Sequence, residues 1–332
     1  MNYSYFCGCD VSKNHIDFCI LDEQNHLYLE CRSKNTIPEL IKTLNTFPVD
    51  IGQVLLCAEH TGMYGYNLRT AAENLAIPLW IEHPAHINAS VVLKRGKTDP
   101  LDAERIARYA LRHWDKARLV APAGQPLQKL KYLQSERTLL VADRAKYKGQ
   151  LRDQKAHMPA EVWNPKSLRL KALIEAFSDQ IKQIDQAIAE LVSVDSVIAH
   201  QYYLLQSIPG VGPRLSLAVI VATNGFSDFT CPRAFSCYCG VAPFVWHSGK
   251  NTYSRARVSQ RADKRIKSLL HMGALSAINC PGELKEYYLR KTEEGKAKMS
   301  VVNAVRSKLI HRMFAVIKKG QTYTPVIDKK VA

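Results

Sequence analysis

The sequence lacks the features that would place the chain in a membrane or outside the cell. Its longest mostly apolar run, at 215–222, is far too short to cross a bilayer. The start, MNYSYFCGCD, has neither the basic residues nor the apolar stretch of a signal peptide. We therefore expect a cytoplasmic globular protein with no membrane partner.

Cysteine is present, but not in a pattern typical of zinc sites. The nine cysteines are an odd number, and none of them forms a CxxC pair. Cys7 with Cys9 and Cys237 with Cys239 are CxC pairs, and no second Cys or His pair lies at zinc spacing. We predict buried thiols rather than zinc ligands.

Acidic residues are scarce in most of the chain, whose net charge is +16. Residues 1–90 hold five Lys/Arg and ten Asp/Glu, which leaves 41 of the 46 basic and 20 of the 30 acidic residues for 91–332. This distribution predicts a polyanion partner, DNA or RNA, whose binding weakens as salt rises. A membrane surface is the weaker alternative because the basic residues are not gathered on one amphipathic helix.

Apolar runs and turn residues predict an α/β N-terminal part. The predicted strands and helices are strands 3–10, 16–22, 27–33, 53–58 and 77–82 and helices 37–47 and 64–75. Strands that are first adjacent and then alternate with helices indicate a mixed sheet.

Beyond residue 118 the pattern becomes helical. Stretches 127–157 and 168–194 flank a predicted break at 158–165, which favours an antiparallel helical hairpin. The second stretch has a near-heptad apolar seam, which requires cover within the hairpin or between protomers. Its members are Leu170, Leu173, Phe177, Ile181, Ile184, Ile188 and Leu191. We predict three domains, at 1–118, 119–200 and 201–332.

Four carboxylates are candidates for a shared metal site. Asp10 and Glu59 close predicted strands, and Asp99 and Asp102 lie three apart at a helix start. Their oxygen atoms are the ligands that Mg²⁺ or Mn²⁺ prefers, and two such ions can clamp a phosphodiester exchange. The alternative is that Asp99, Pro100 and Asp102 only cap the helix, while Asp10 is a turn aspartate and Glu59 a solvated strand end.

Three stretches carry a resemblance to a known family: GCDVSKNHIDFCILD, CAEHTGMYGYNL and LKRGKTDPLDAERIARY. They resemble the RuvC-like, ribonuclease-H-fold half of the DEDD transposases of bacterial insertion sequences. That family includes the Piv-type DNA invertases and the bridge-RNA-guided recombinases. The resemblance implies that Asp10, Glu59, Asp99 and Asp102 bind divalent metal. The basic run beside them adds candidate nucleic-acid contacts at Lys94, Arg95 and Lys97.

The second half has two candidate nucleic-acid elements. PGVGP, between apolar helices, is similar to a helix–hairpin–helix turn in which Gly210 and Gly212 approach a phosphate, although a tight turn between packed helices could use the same residues. A basic strip follows and is suited to backbone contacts, the alternative being a solvated helix face. Its candidate residues are Lys250, Arg255, Arg257, Arg261, Lys264 and Arg265.

The stretch CGVAPFVWHSGKNTYSRARV resembles the C-terminal transposase domain of the same family, which maps a nucleophilic serine onto Ser248. The whole resemblance implies an α/β RuvC-like domain, a helical coiled-coil middle and a mainly α C-terminal domain. It implies a DNA transposase that forms a serine–DNA intermediate, acts as a dimer or tetramer and uses a guide RNA. Two alternatives are a RuvC-like endonuclease using metal-activated water and a non-enzymatic nucleic-acid-binding protein.

Overall fold

The chain divides into two compact units, Met1–Pro122 and Ala123–Ala332. The computed structural model describes residues 3–90, 99–120, 124–243, 247–248, 252–253, 258 and 262–325, with backbone alone at 99–100, 247–248 and 252–253. Within these ranges, no helix is both long and apolar enough to span a bilayer. The division into three domains stays a prediction.

The first unit is built on a five-stranded mixed sheet with the strand order β3-β2-β1-β4-β5. Its strands are β1 (Tyr5–Val11), β2 (His15–Asp22), β3 (Leu27–Lys34), β4 (Val54–Glu59) and β5 (Leu79–Glu82). Its helices are α1 (Ile37–Asn45), α2 (Tyr66–Asn74), α3 (Pro84–Ala89) and α4 (Asp99–His113). Strand β2 runs antiparallel to β1 and β3, while β4 is parallel to β1 and β5. The predicted mixed α/β sheet is confirmed.

Alternation along the strands gives the sheet two buried faces. On one face, Cys7 and Cys9 pack in a core with Leu40 of α1 and Leu68 of α2. The opposite face packs against α4, in a cluster made of Phe6, Leu55, Cys57, Trp80, Ile87, Ile106, Tyr109 and Ala110. Residues of β1 and β4 that follow Phe6 and Leu55 at intervals of two therefore face α4.

The second unit is mostly helical. Its elements are α5 (Gln125–Asp153), α6 (Ala160–Val194), α7 (Ser196–Gln206), α8 (Pro213–Ala222), α9 (Pro232–Tyr238), β6 (His247–Ser248), β7 (Thr252–Tyr253), α10 (Lys264–Asn279), α11 (Glu283–Glu293) and α12 (Lys298–Lys319). The predicted break at 158–165 is too long, because α6 already begins at Ala160 and contains Pro165. Pro165 is the sixth residue of α6, so it removes one backbone hydrogen bond from the second turn without ending the helix.

The apolar seam of α6 is covered within the hairpin. Ile184 and Ile188 are buried in a cluster with Leu130 of α5. Phe177 stacks on Tyr147 of α5 with 5.7 Å between ring centroids. The seam thus stabilises the α5–α6 pair, with Leu173 remaining 42% exposed.

Asp185 connects three helices of the second unit. Its carboxylate accepts a hydrogen bond of 2.6 Å from Nε of Arg137 in α5 and one of 2.5 Å from the guanidinium of Arg214 in α8. Burial alone would raise the pKa of Asp185, but the hydrogen bonds and charges of the two arginines hold that pKa below its ordinary value.

We expect Asp185→Asn to lower the free energy of unfolding by about 1 kcal/mol at neutral pH, because the ion pairs are partly exposed. A lowered folded-state pKa stabilises the fold above the unfolded carboxyl's pKa of about 4, and this contribution disappears as pH falls through the folded value. Urea unfolding at pH 7 and at about pH 2 measures the difference. Asp179→Asn, at an exposed position of α6, is the control. An effect of Asp185→Asn that is equal at both pH values would contradict the prediction.

All nine cysteines are free thiols. Five are buried, namely Cys7, Cys9, Cys19, Cys57 and Cys239. Burial raises the pKa of Cys19 to about 12 and those of Cys7 and Cys57 well above the ordinary thiol value. The prediction of buried thiols in the two CxC pairs is confirmed for Cys7, Cys9 and Cys239, whereas Cys237 is only half-buried.

Candidate metal centre and nucleic-acid contacts

Asp10 and Glu59 come at the ends of neighbouring parallel strands. Asp10 is the penultimate residue of β1, and Glu59 is the last residue of β4. The two strands pair in register up to Cys9 and Ala58, so the two acids follow on adjacent strands. Both are half-buried. A carboxylate in such a place is costly unless it is paired or binds a cation.

Helix α4 crosses the sheet directly at Gly8, two residues before Asp10 on the same strand face. A Cβ at Gly8 would lie 2.0 Å from the carbonyl oxygen of Ala103 and 2.4 Å from the amide nitrogen of Ala107. Only glycine permits this approach of two backbones. The crossing point brings Asp102, the residue before Ala103, to the sheet near the strand ends.

Arg105 joins two of the predicted acids. Its guanidinium lies 2.9 Å from Oε1 of Glu59 in β4 and 3.3 Å from Oδ1 of Asp102, one helical turn earlier in α4. All three side chains are between 18% and 28% exposed. Two carboxylates from separate elements therefore converge on one cationic group.

This arrangement fits a divalent cation in the chemistry of its donors. Glu59 and Asp102 carry hard oxygen atoms of the kind that such an ion binds, and in this structure both contact the Arg105 guanidinium. Among the side chains that the structure describes, no group of three or more His, Cys, Asp or Glu residues is placed to hold a metal ion. The side chain of Asp99 lies outside that part, although its backbone begins α4. The four-acid set therefore stays a prediction.

Glu82 is an acid that the sequence analysis missed. It is paired with Glu59 in the register of β4 and β5. Its carboxylate accepts hydrogen bonds from the backbone N–H of His83 at 2.6 Å and from the hydroxyl of Tyr109 at 3.2 Å, and contacts Nδ1 of His86 at 2.9 Å. Burial and this carboxylate raise the pKa of Tyr109 to about 12. The strand-end position that identified Glu59 also applies to Glu82.

Asp17 is a second acid that the sequence analysis did not select, and it is buried. It lies opposite Asp10 in the β1–β2 register and is 6% exposed. Arg32 of β3 donates to both of its carboxylate oxygens, at 2.8 and 3.1 Å. Since a bidentate arginine neutralises it, Asp17 has a structural partner of its own.

Most of the predicted basic contacts lie outside the described residues, namely Lys94, Arg95, Lys97, Lys250, Arg255, Arg257 and Arg261. Lys264 and Arg265 open α10, where Asp263 accepts from the backbone N–H groups of Arg265 and Ile266. Lys264 is exposed, and Arg265 donates to the hydroxyl of Thr138 at 3.4 Å. Ser248 lies in β6, which pairs with β7, and its side chain is outside the described part.

The PGVGP turn joins α7 to α8, and its two glycines differ in their surroundings. Gly210 has φ +89°, and a Cβ there would lie 2.4 Å from the carbonyl oxygen of Gly273 in α10. It is therefore required for packing, which is the alternative that the sequence left open. Gly212 precedes α8 at an exposed position with no neighbouring atom within 4 Å of a Cβ. Its contact with a phosphate stays a prediction.

Comparison with known proteins identifies the family. A profile of IS110-type DEDD transposases matches residues 7–155, and a profile described as "Transposase IS116/IS110/IS902 family" matches residues 202–289. Together the two profiles match more than half of the chain. The chain belongs to this family of insertion-sequence transposases. The predicted family and enzyme class are confirmed, and the alternative of a non-enzymatic binding protein is wrong.

Individual relatives agree with the family assignment. The chain is 26% identical over 332 residues to a "Pilin gene-inverting protein" of Moraxella bovis, with 98% of each chain covered. It is 23% identical over 340 residues to the "Transposase for insertion sequence element IS1111A" of Coxiella burnetii, covering 95% of this chain and 90% of that one. A solved structure of T. thermophilus RuvC with a Holliday junction substrate matches 36% of this chain and 100% of its own at 11% identity and a TM-score of 0.27. That score is too low to support an inference about the fold.

Proposed function

We propose that this insertion-sequence transposase cuts and rejoins DNA with a divalent-metal centre in its first unit and a serine nucleophile in its second. The convergence of Glu59 and Asp102 on the Arg105 guanidinium is the observation that carries the proposal. We also propose that the mixed five-stranded sheet is that of a RuvC-like, ribonuclease-H-fold domain.

The residues that would hold Mg²⁺ or Mn²⁺ are Asp10, Glu59, Asp99 and Asp102. When bound, the metal supplies Lewis-acid stabilisation of the charge that develops on the phosphate oxygens. Arg105 keeps Glu59 and Asp102 facing one point and lowers the repulsion between them, so their geometry is set before a substrate arrives. Arg105 is therefore a positioning residue in this proposal.

The nucleophile would be the hydroxyl of Ser248. Its Oγ attacks a DNA phosphorus, and an O–P bond to serine forms as the bond from phosphorus to the deoxyribose oxygen breaks. The serine proton is lost, and the departing oxygen gains a proton. A hydroxyl of a second DNA end then attacks the same phosphorus and releases Ser248, so no phosphodiester energy is lost to hydrolysis.

The partners would be donor and target DNA, a guide RNA and further copies of this chain. The excess of 41 basic over 20 acidic residues in 91–332 suits two polyanions at once. The acids and Ser248 belong to different units of the chain. A dimer or tetramer in which the site is assembled between subunits would bring the two halves of the chemistry together.

Covalent trapping tests the serine step. Wild-type protein incubated with its co-purified nucleic acid, matching DNA duplexes and Mg²⁺ should yield a protein–DNA adduct on denaturing gels. Ser248→Ala should yield none, because alanine has no attacking oxygen. Ser268→Ala, at an exposed position of α10, is the matched control and should yield as much adduct as wild type. Cleavage by Ser248→Ala at the wild-type rate would instead indicate an endonuclease that uses metal-activated water.

The same assay tests the guide RNA. Digestion of co-purified RNA before the DNA is added should abolish the adduct, and adding the intact RNA back should restore it. Equal adduct formation with and without RNA would show that the protein itself selects its DNA.

A further inference from the structure

A buried arginine in the second unit has no carboxylate partner among the residues that the structure describes. Arg306 of α12 is only 7% exposed. Its guanidinium lies 2.6 Å from Nδ1 of His271 in α10 and 3.4 Å from Oδ1 of Asn303 in α12. Both of these contacts are uncharged acceptors when the histidine is neutral.

No carboxylate neutralises Arg306 among the side chains that the structure describes. Its Nε is buried and has no hydrogen-bond partner there. Four other arginines each contact an acid within 3 Å, namely Arg105, Arg137, Arg214 and Arg312. The sequence from 244 to 261 contains no acidic residue, so that segment also has no carboxylate to offer.

An unpaired buried charge is expensive, typically by several kcal/mol. Burial lowers the pKa of Arg306, and burial together with the Arg306 charge lowers the pKa of His271. The neutral ring of His271 accepts from Arg306 through Nδ1, which leaves the proton on Nε2 as a further donor. The cluster therefore combines a positive charge with one buried donor, the Nε–H of Arg306, that has no partner among the described residues.

The cluster is connected to the segment that leads to Ser248. The side-chain amide of Asn303 donates 2.8 Å to the backbone carbonyl of Val241, after which the chain continues to β6. His271 and Asn303 are both half-buried, so the cluster reaches the surface on that side. An anion that enters here would lie near Val241, the residue at which this segment begins.

We propose that Arg306, with His271 and Asn303 at its rim, is an anion site that receives a phosphate group. A guanidinium can donate two parallel hydrogen bonds to phosphate oxygens. The Nε–H of Arg306 is buried and has no partner among the described residues, so the anion would reach it from the side where His271 and Asn303 are half-buried. That the phosphate belongs to nucleic acid rests on the proposed function. Binding of inorganic phosphate does not depend on it.

Thermal unfolding in chloride and in inorganic phosphate at equal ionic strength tests the site. Phosphate should raise the unfolding midpoint of wild-type protein, because it binds only the folded state. Arg306→Met should lose this rise, and in chloride it should unfold at or above the wild-type temperature, because an apolar side chain of similar length removes an unpaired buried charge. Lys318→Met removes one exposed charge from the same helix and should keep the full rise. An equal rise in all three proteins would overturn the proposal, as would a midpoint of Arg306→Met far below wild type in chloride.

A measurement on folded wild-type protein guards against a variant that does not fold. In protein labelled with ¹⁵N-arginine, the Nε–H resonance of Arg306, assigned by its absence in Arg306→Lys, should shift with inorganic phosphate and saturate. A resonance that does not move overturns the proposal.

A short DNA duplex separates the two sources of phosphate. Arg306→Met should bind it about tenfold more weakly than Lys318→Met does, as expected for loss of a charged hydrogen-bond pair. Equal binding with an intact inorganic-phosphate response would assign the site to free phosphate. Normal adduct formation by Arg306→Met, with no phosphate response in wild type, would refute this site and leave the proposed function standing. A phosphate response without any serine adduct would support this site and refute the proposed serine step.

Discussion

Replacing Gly8 by alanine should lower the free energy of unfolding by about 3 kcal/mol, the upper end of the usual range for overpacking. The added Cβ would lie 2.0 Å from the carbonyl oxygen of Ala103 and 2.4 Å from the amide nitrogen of Ala107. Both are backbone atoms, so no rotation of a side chain relieves the clash and α4 must move away from β1. Because α4 carries Asp102 and Arg105, the same shift should separate Asp102 from Glu59 and reduce activity.

Urea unfolding followed by circular dichroism measures this effect, and Gly149→Ala is the matched control. Gly149 lies within α5, and a Cβ there meets no atom within 4 Å. Alanine is the better helix former, so the control should stabilise the protein by about 0.5–1 kcal/mol. A Gly8→Ala protein as stable as wild type would mean that α4 and β1 do not approach this closely in solution.

Neutralising Asp102 should have the largest effect on DNA cleavage. We expect Asp102→Asn to reduce the cleavage rate about a thousandfold, which corresponds to about 4 kcal/mol of activation free energy. The amide keeps the size of the side chain but loses the negative charge that holds a divalent cation. Since Asp102 is 28% exposed, the fold should survive the change.

Glu104→Gln is the control for Asp102→Asn. Glu104 lies in the same helix and pairs with Arg108 at 2.6 Å, so its loss removes one charge of equal sign without touching Glu59 or Arg105. Cleavage rates and calorimetric titration with Mn²⁺ should separate the two variants. If both bind Mn²⁺ and cleave like wild type, the metal centre lies elsewhere.

The strand-end acids could be predicted because their signal is local. Asp10 and Glu59 each interrupt an apolar strand with a charge, and such a pattern is readable in a few residues. The mixed sheet followed from the order of short apolar runs. The helical hairpin followed from the seam. Pro165 suggested a longer break than the helix has, because α6 continues through this proline.

Other features could not be predicted because their partners are distant in sequence. Arg105 has the spacing of an ordinary helix-surface pair with Asp102, and its contact with Glu59 exists only when α4 lies on the sheet. In the sequence Gly8 is an ordinary glycine of a predicted strand, and only the packing of Ala103 against it shows why glycine is needed there. The contact between Arg306 and His271 likewise requires α10 and α12 to be packed together.

The PGVGP motif correctly predicts that position 210 needs a glycine, but it does not show that helix packing is the reason. The PGVGP pattern requires a glycine with positive φ, and the structure has one. The group that packs against Gly210 is the backbone of Gly273 in α10. The sequence analysis had predicted a phosphate in that place.

The buried thiols of the sheet lie close to the strand ends that carry the predicted metal ligands. Cys57 lies on the strand face of Glu59, two residues before it, and its raised pKa keeps the sulfur protonated at neutral pH. Cys19, with a pKa of about 12, is protonated as well. Only a thiolate is readily oxidised. Buried and protonated, these sulfurs should therefore react slowly with oxidants, so the fold beside the strand-end acids should tolerate oxidising conditions.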